Sequence, residues 1–292
     1  MSLLLIGAAG YVGSALLPHL LERGFQVDTV DLGWFGSTRS ENLRVDYATL
    51  DREFLGRYET IVLLAAHSSV AMCQREPERA LANNVANFAA LLAKLDRQRL
   101  IYASSVSVYG TKADAMEFTE EAPMPEPVNH YDFQKQAIDR CARLSGAKYY
   151  GLRFGAVNGP APNLRVDVML NKMVHFARQR GHIEFCNPSI YRPVLGLNDL
   201  CLAVRAVIEG DAAPGVYNLA SFNATVREMA EQTAKTVGVP ALAIPDTAGV
   251  YNVRVSTNKF ENAFDFRFQD TLPTILTELM NQYENCVPTI RD

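Results

Sequence analysis

Three groups of residues in this chain of 292 have the types and spacing to do chemistry together. In Tyr131-Asp132-Phe133-Gln134-Lys135 the tyrosine and lysine are four positions apart, so on a helix they share one face. There the ammonium can lower the phenol's pKa and hold a ribose, which makes a proton-transfer pair. Upstream, the run Leu100-Ile101-Tyr102-Ala103 reads as a buried strand leading into Ser104-Ser105, where Ser105 can present a hydroxyl to a substrate oxygen or cap the backbone. The third group is Gly7-Ala8-Ala9-Gly10-Tyr11-Val12-Gly13, set between the apolar run from Ser2 to Ile6 and a helical stretch from Ser14. A strand, a glycine turn and a helix in that order form a phosphate cradle, with free N–H groups at the helix start facing a pyrophosphate. Asp31 ends a second strand, Phe25 to Val30, where a carboxylate accepts from both ribose hydroxyls. It favours NAD over NADP, whose 2′-phosphate it would repel.

These groups need a scaffold, and the pattern from residue 1 to about 155 supplies one. Apolar strands alternate there with helix-length amphipathic stretches, which predicts a doubly wound parallel sheet with helices on both faces. Strands are expected near 2–7, 26–31, 43–45, 60–65, 98–104 and 147–153, with late strands near 183–186 and 216–219 that complete or flank the sheet. Ala122-Pro123-Met124-Pro125-Glu126-Pro127 must be loop, at the mouth of the site before Tyr131. Beyond residue 156 the alternation loosens. A loop enters a helix over 163–179, and further helices are expected at 226–237 and 272–284. The division expected is a dinucleotide-binding domain over 1–155, completed by 194–220, and a smaller, mostly substrate-binding domain over 156–292.

Composition narrows the function classes. Hydrophobic residues at 48% and charged residues at 21% describe an ordinary globular chain able to bury a full core. No segment approaches the roughly 18 apolar residues of a membrane span, and the opening run lacks a signal peptide's basic lead, so a cytoplasmic location is expected. The five cysteines are scattered and odd in number, without metal-ligand spacing, so neither a disulfide nor a structural metal is expected. A net charge of −4 argues against nucleic acid and anionic membrane as partners. An anionic substrate must be met by a few local arginines.

Taken with these motifs, the chain resembles the extended short-chain dehydrogenase/reductases, the nucleotide-sugar epimerase/dehydratase type. The glycine turn is similar to that family's N-terminal signature, Leu63-Leu64-Ala65-Ala66-His67 to its fourth strand, Ser105 to its active-site Ser/Thr, and Tyr131 with Lys135 to its YxxxK pair. Leu152-Arg153-Phe154-Gly155-Ala156-Val157-Asn158-Gly159-Pro160 resembles its arginine-bearing strand and Gly-Pro turn, Tyr191 to Leu200 a second arginine strand with its Asp-capped helix, and Gly215 to Leu219 a late strand. The resemblance implies an α/β fold with a Rossmann-type doubly wound sheet, a smaller C-terminal substrate domain, and NAD as cofactor. It assigns the cofactor to Gly7, Gly10, Tyr11, Val12, Gly13, Asp31, Ala65, Ala66, Phe154, Tyr131 and Lys135, with Asp46 either at the adenine amino group or an ordinary loop aspartate. Catalysis falls to Ser105, Tyr131 and Lys135. For a nucleotide-diphosphate sugar it implies Ser105, Arg165, Asn171 and Arg192, the last gripping the diphosphate unless it is a surface ion pair. Asn84 resembles a family asparagine near the active-site helices or is a helix-surface residue. His67 reads as a satisfied structural histidine, and Trp34 and Phe35 as loop plugs outside the site.

Departures shape the expected reaction. The dehydratases of the family carry Asp-Glu directly after the active-site hydroxyl, whereas Val106 and Ser107 stand here. Epimerisation at C4 by transient oxidation is the expected activity. A net dehydrogenase or 4-ketoreductase uses the same triad, and a non-catalytic NAD-binding module is the alternative outside enzymes. Ile6 replaces a threonine, Ala156 stands where 4-epimerases place a nucleotide-contacting asparagine, and their late arginine has no clear counterpart. Helices over 81–95 and 137–144 are richer in apolar residues than one core face requires, and in the family two such helices pair across a two-fold axis, so a homodimer is expected.

Overall fold

An apolar run without polar alternation has no wet face, so it must lie inside a sheet covered on both sides. In the computed structural model, which describes residues 2–36, 42–110 and 117–290, that run is β1 (Ser2–Ile6). It pairs in parallel with β2 (Gln26–Val30) on one side and β3 (Thr60–Leu63) on the other. β4 (Arg99–Ser105), β6 (Lys148–Phe154) and β11 (Gly215–Leu219) extend the sheet, giving the order β11-β6-β4-β3-β1-β2 with every pairing parallel. Because side chains alternate along a strand, Leu3 and Leu5 face α1 (Tyr11–Glu22) and α8 (Leu197–Glu209), while Leu4 and Ile6 face α5 (Asn87–Lys94) and α6 (His130–Leu144). The chain runs outward from β1 to β2, then returns past β1 to β3. This switch in direction opens a crevice at the carboxyl ends of β1 and β3, where open α/β sheets bind ligands.

The strand expected at 43–45 does not form. Only Leu43 pairs with the sheet, in a single bridge to Val30, and the chain then turns so that Asp46 caps a short 3-10 helix, Tyr47–Thr49. The strand expected near 183–186 also lies elsewhere. As β9 (Ile183–Phe185) it pairs with β13 (Ala241–Ala243), apart from the main sheet, because Ile183 and Phe185 fill a second core. That core also takes Leu170 and Val174 of α7 (Met169–Arg180), Met229 and Ala230 of α9 (Val226–Val237) and Ile275, Leu276 and Leu279 of α11 (Leu272–Gln282). Beside it β10 (Tyr191–Gly196) lies between β7 (Ala156–Asn158) and β12 (Phe222–Thr225). The remaining pairs are β5 (Glu117–Phe118) with β14 (Arg254–Val255) and β8 (Asn163–Arg165) with β15 (Val287–Thr289).

The helix expected over 81–95 is interrupted. After α4 (Pro77–Leu81) the residues Ala82–Ala86 form a π turn before α5 begins. Such a turn shifts the helical register, and it carries Asn84 inward, away from the surface.

Candidate active site

The glycine turn folds as its spacing predicts, and the reason is steric. Gly7 has φ +94°, and a Cβ there would sit 2.5 Å from the Ala65 nitrogen; one at Gly13 would sit 2.1 Å from the Gly7 carbonyl oxygen. Any side chain would push α1 off the sheet or fill the crevice. Gly10 caps α1 without a side-chain acceptor, and no acidic residue occupies the helix's first turn. The helix start is thus an open anion site, and the cradle fits a pyrophosphate. Tyr11, Val12, Gly13, Ala66 and Phe154 line the same cavity as Gly7 and Gly10.

Toward the far end of the crevice, Asp31 and Asp46 line a groove with Gly7, Gly10, Ala65 and Ala66. Asp31 accepts from the Ala9 and Gly33 backbone N–H groups at 2.9 and 2.6 Å, which fixes the carboxylate beside the glycine turn. Asp46 accepts from the Ala48 N–H at 2.9 Å. Trp34 and Phe35, set aside as loop plugs, form part of this groove, with the Trp34 ring edge-on to His67 at 5.0 Å between centroids. Their place three and four residues after Asp31 was the available signal. A lone aromatic in a loop does not say whether it faces a groove.

Tyr131 and Lys135 are brought together beside the end of β4. Asn129 caps α6, its side-chain oxygen accepting from the Asp132 N–H, so Tyr131 and Lys135 fall in the first two turns. The Lys135 ammonium donates to the Ala103 carbonyl at 2.6 Å and lies 5.6 Å from the centroid of the Tyr131 ring. Burial pushes the Lys135 pKa down to about 8. The Tyr131 phenol is pushed up by burial, and a hydrogen bond with Ser105 and the Arg165 charge pull it back. Ser105 also accepts from the Ser107 N–H at 3.1 Å, so one hydroxyl both caps the strand end and meets the phenol.

Behind the pair, Asn84 donates to Gln134 at 2.7 Å and to the His67 carbonyl at 3.0 Å, while accepting from the His67 N–H at 2.8 Å. The π turn, the loop after β3 and α6 are thereby locked together. His67 is buried, and burial lowers its pKa, keeping it neutral. On the opposite flank a buried Arg153–Asp139 ion pair at 2.8 Å, joined by Tyr102 and Tyr109, ties α6 to β4 and β6.

The three residues expected to meet substrate diverge. Arg192 lines the cavity that holds Ser105, Tyr131 and Lys135. Its Nε is buried and, among the described residues, has no hydrogen-bond partner, and burial disfavours its charge. Arg165 lines the same cavity, but its guanidinium is paired with Asp167 at 2.7 Å and bonded to the Ser68 carbonyl. Asn171 is elsewhere: fully buried, it donates to the Tyr11 hydroxyl and the Arg165 carbonyl and accepts from the Gly159 N–H. Both amide protons are spent on protein, and Asn171 is not part of the lining of the cavity that holds Tyr131 and Arg192. Among the described residues no cluster of side chains could hold a metal ion, and no helix is long and apolar enough to cross a membrane.

A parallel sheet with a glycine cradle at its switch point and a Ser-Tyr-Lys group at the end of its fourth strand defines a dinucleotide-dependent enzyme class. The model of the NAD dependent epimerase/dehydratase family matches residues 3–220, and the chain belongs to that family. Among curated relatives, a UDP-glucose 4-epimerase of Halalkalibacterium halodurans is 30% identical over 182 residues, covering 57% of this chain and 54% of the relative. The match thus spans about half that relative's length. A UDP-glucose 4-epimerase of Corynebacterium glutamicum is 27% identical over 284 residues, covering 85% of each chain. Among solved structures, a UDP-glucuronic acid 4-epimerase from Bacillus cereus, in complex with UDP-glucuronic acid and NAD, superposes with a TM-score of 0.85 at 20% identity, covering 97% of this chain and 99% of that one.

Proposed function

We propose that this NAD-dependent family member is a nucleotide-sugar 4-epimerase. The observation that carries this reading is the convergence of Ser105, Tyr131 and Lys135 with Arg192 on a single cavity that opens onto the glycine cradle. Gly7, Gly10, Gly13 and the start of α1 would hold the pyrophosphate of NAD, Asp31 its adenosine ribose, and Asp46, Trp34 and Phe35 its adenine end. Bound there, NAD supplies a hydride acceptor that can return what it takes. Tyr131 removes the proton from a sugar hydroxyl, and Ser105 hydrogen-bonds the same oxygen as its charge changes. Lys135, held by the Ala103 carbonyl, stabilises the phenolate and orients the nicotinamide ribose. Arg192 binds the diphosphate, whose two charges an acidic protein must otherwise desolvate unaided.

NMR of the purified protein incubated with UDP-glucose, UDP-glucuronic acid and their C4 epimers tests this reading. Interconversion of at least one pair is expected with no accumulation of NADH. NADH formed in proportion to sugar consumed would replace the epimerase by a net dehydrogenase.

The reading includes a homodimer. Leu81 and Leu144, within the two stretches expected to pair, are 44 and 83% exposed. Apolar side chains left in water on neighbouring helices favour burial against a second copy. Light scattering is expected to give twice the 32.3 kDa chain mass at micromolar concentration. A monomer there would contradict the assignment.

A further inference from the structure

Tyr251 belongs to no motif and stands in a segment with no regular structure, yet it lines the same cavity as Tyr131 and Arg192. Its backbone neighbours are laced to β10: the Val253 N–H donates to the Tyr191 carbonyl at 3.1 Å, and the Tyr191 N–H to the Asn252 side-chain oxygen at 2.9 Å. This brings the Tyr251 ring against Arg192, whose guanidinium carbon lies 5.5 Å from the ring centroid. The other end of Tyr251 is held as firmly. Its hydroxyl donates to the carboxylate of Asp132, 2.8 and 3.0 Å from the two oxygens, and accepts from the Asn129 amide at 2.7 Å. Asp132 is fully buried, and the same Asn129 amide donates to it at 2.9 Å. Asn129 and Asp132 are the cap and third residue of the helix turn that carries Tyr131.

One turn of α6 therefore presents the proton-transfer tyrosine and also grips the ring on which Arg192 rests. Among the described residues the Arg192 Nε has no hydrogen-bond partner, and a ring face attracts a guanidinium without neutralising it. We infer that Tyr251, clamped by Asp132 and Asn129, is a positioning residue that aims Arg192 at the substrate's diphosphate in register with Tyr131. The inference rests on the proposed role of Arg192. It makes the identity of residue 132 a matter of substrate binding rather than of helix stability alone.

The test is calorimetric titration of the NAD-loaded protein with UDP, comparing wild type, Tyr251→Phe, Tyr251→Leu, Arg192→Ala and the Tyr251→Leu/Arg192→Ala double variant. Tyr251→Phe keeps the ring and frees it from its clamp, and a loss of about threefold in UDP affinity is expected; Tyr251→Leu removes the ring as well, for about tenfold. In the Arg192→Ala background the Tyr251→Leu loss is expected to vanish to within about twofold, because both residues act through one interaction. A tyrosine that only supports the fold would weaken binding equally in both backgrounds. That result, or wild-type affinity in both single Tyr251 variants while Arg192→Ala binds weakly, overturns the positioning role and leaves the reading of Arg192 standing. Wild-type affinity in Arg192→Ala overturns that reading, and the positioning role with it.

Discussion

Tyr131→Phe is expected to lower turnover of the nucleotide sugar by about a thousandfold while leaving NAD affinity within about twofold. The change deletes one oxygen from a ring that stays in place, since α6 is anchored by its Asn129 cap and by the buried Arg153–Asp139 pair, neither of which uses the phenol. The cradle that would hold the cofactor's phosphates, from Gly7 to Gly13, is fixed by close backbone packing against Leu64, Ala65 and Ala8 and does not depend on the phenol. What is lost is the group that accepts the sugar's proton. Ser105 cannot replace it, because its hydroxyl is far less acidic and already accepts from the Ser107 N–H. Steady-state kinetics and NAD titration check the two halves separately. Turnover within tenfold of wild type would remove Tyr131 from the proton path, and loss of NAD binding would make it a cofactor residue instead.

Arg192→Ala is expected to raise the Michaelis constant for the nucleotide sugar by ten- to a hundredfold, corresponding to roughly 1.5–3 kcal/mol for a charge-assisted contact at a partly buried site. Arg192→Lys should recover only part of this, because an ammonium lacks the planar fork that meets two phosphate oxygens. The same substitution has a second readout. In the free protein Arg192 carries a charge that burial disfavours, with its Nε unpartnered. Removing a partly buried charge whose Nε has no partner should therefore leave the thermal stability of the free protein unchanged or raise it. A marked fall in melting temperature, with unchanged substrate affinity, would mean that the arginine supports the fold and that the anion is met elsewhere.

The residues whose placement was legible in the chain lie within one element or across one turn. The glycines between β1 and α1 are demanded by distances of a few residues, the Tyr131 and Lys135 alignment by one helical turn, and Asp31 by the end of the strand next to β1. Local spacing determines local geometry, and the apolar runs that bury both sheet faces determine the fold class for the same reason. Contacts between distant segments obey no such rule. Asn171 had the chemistry to meet a phosphate, but folding put Tyr11, from 160 residues away, against its amide. Arg165 and Arg192 are equivalent in sequence terms; only the packed chain gives Asp167 to the first and the face of Tyr251 to the second. Asn84 left its helix surface because a π turn shifted the register, and residues 43–45 lost their strand because the chain turned after one bridge to cap a helix with Asp46. The sequence by itself thus determined the sheet, the glycine turn and the shared helix face of Tyr131 and Lys135. That Arg165 meets Asp167 and Arg192 meets the face of Tyr251 was decided by tertiary structure, because the pairing of a charge depends on every segment that packs against it.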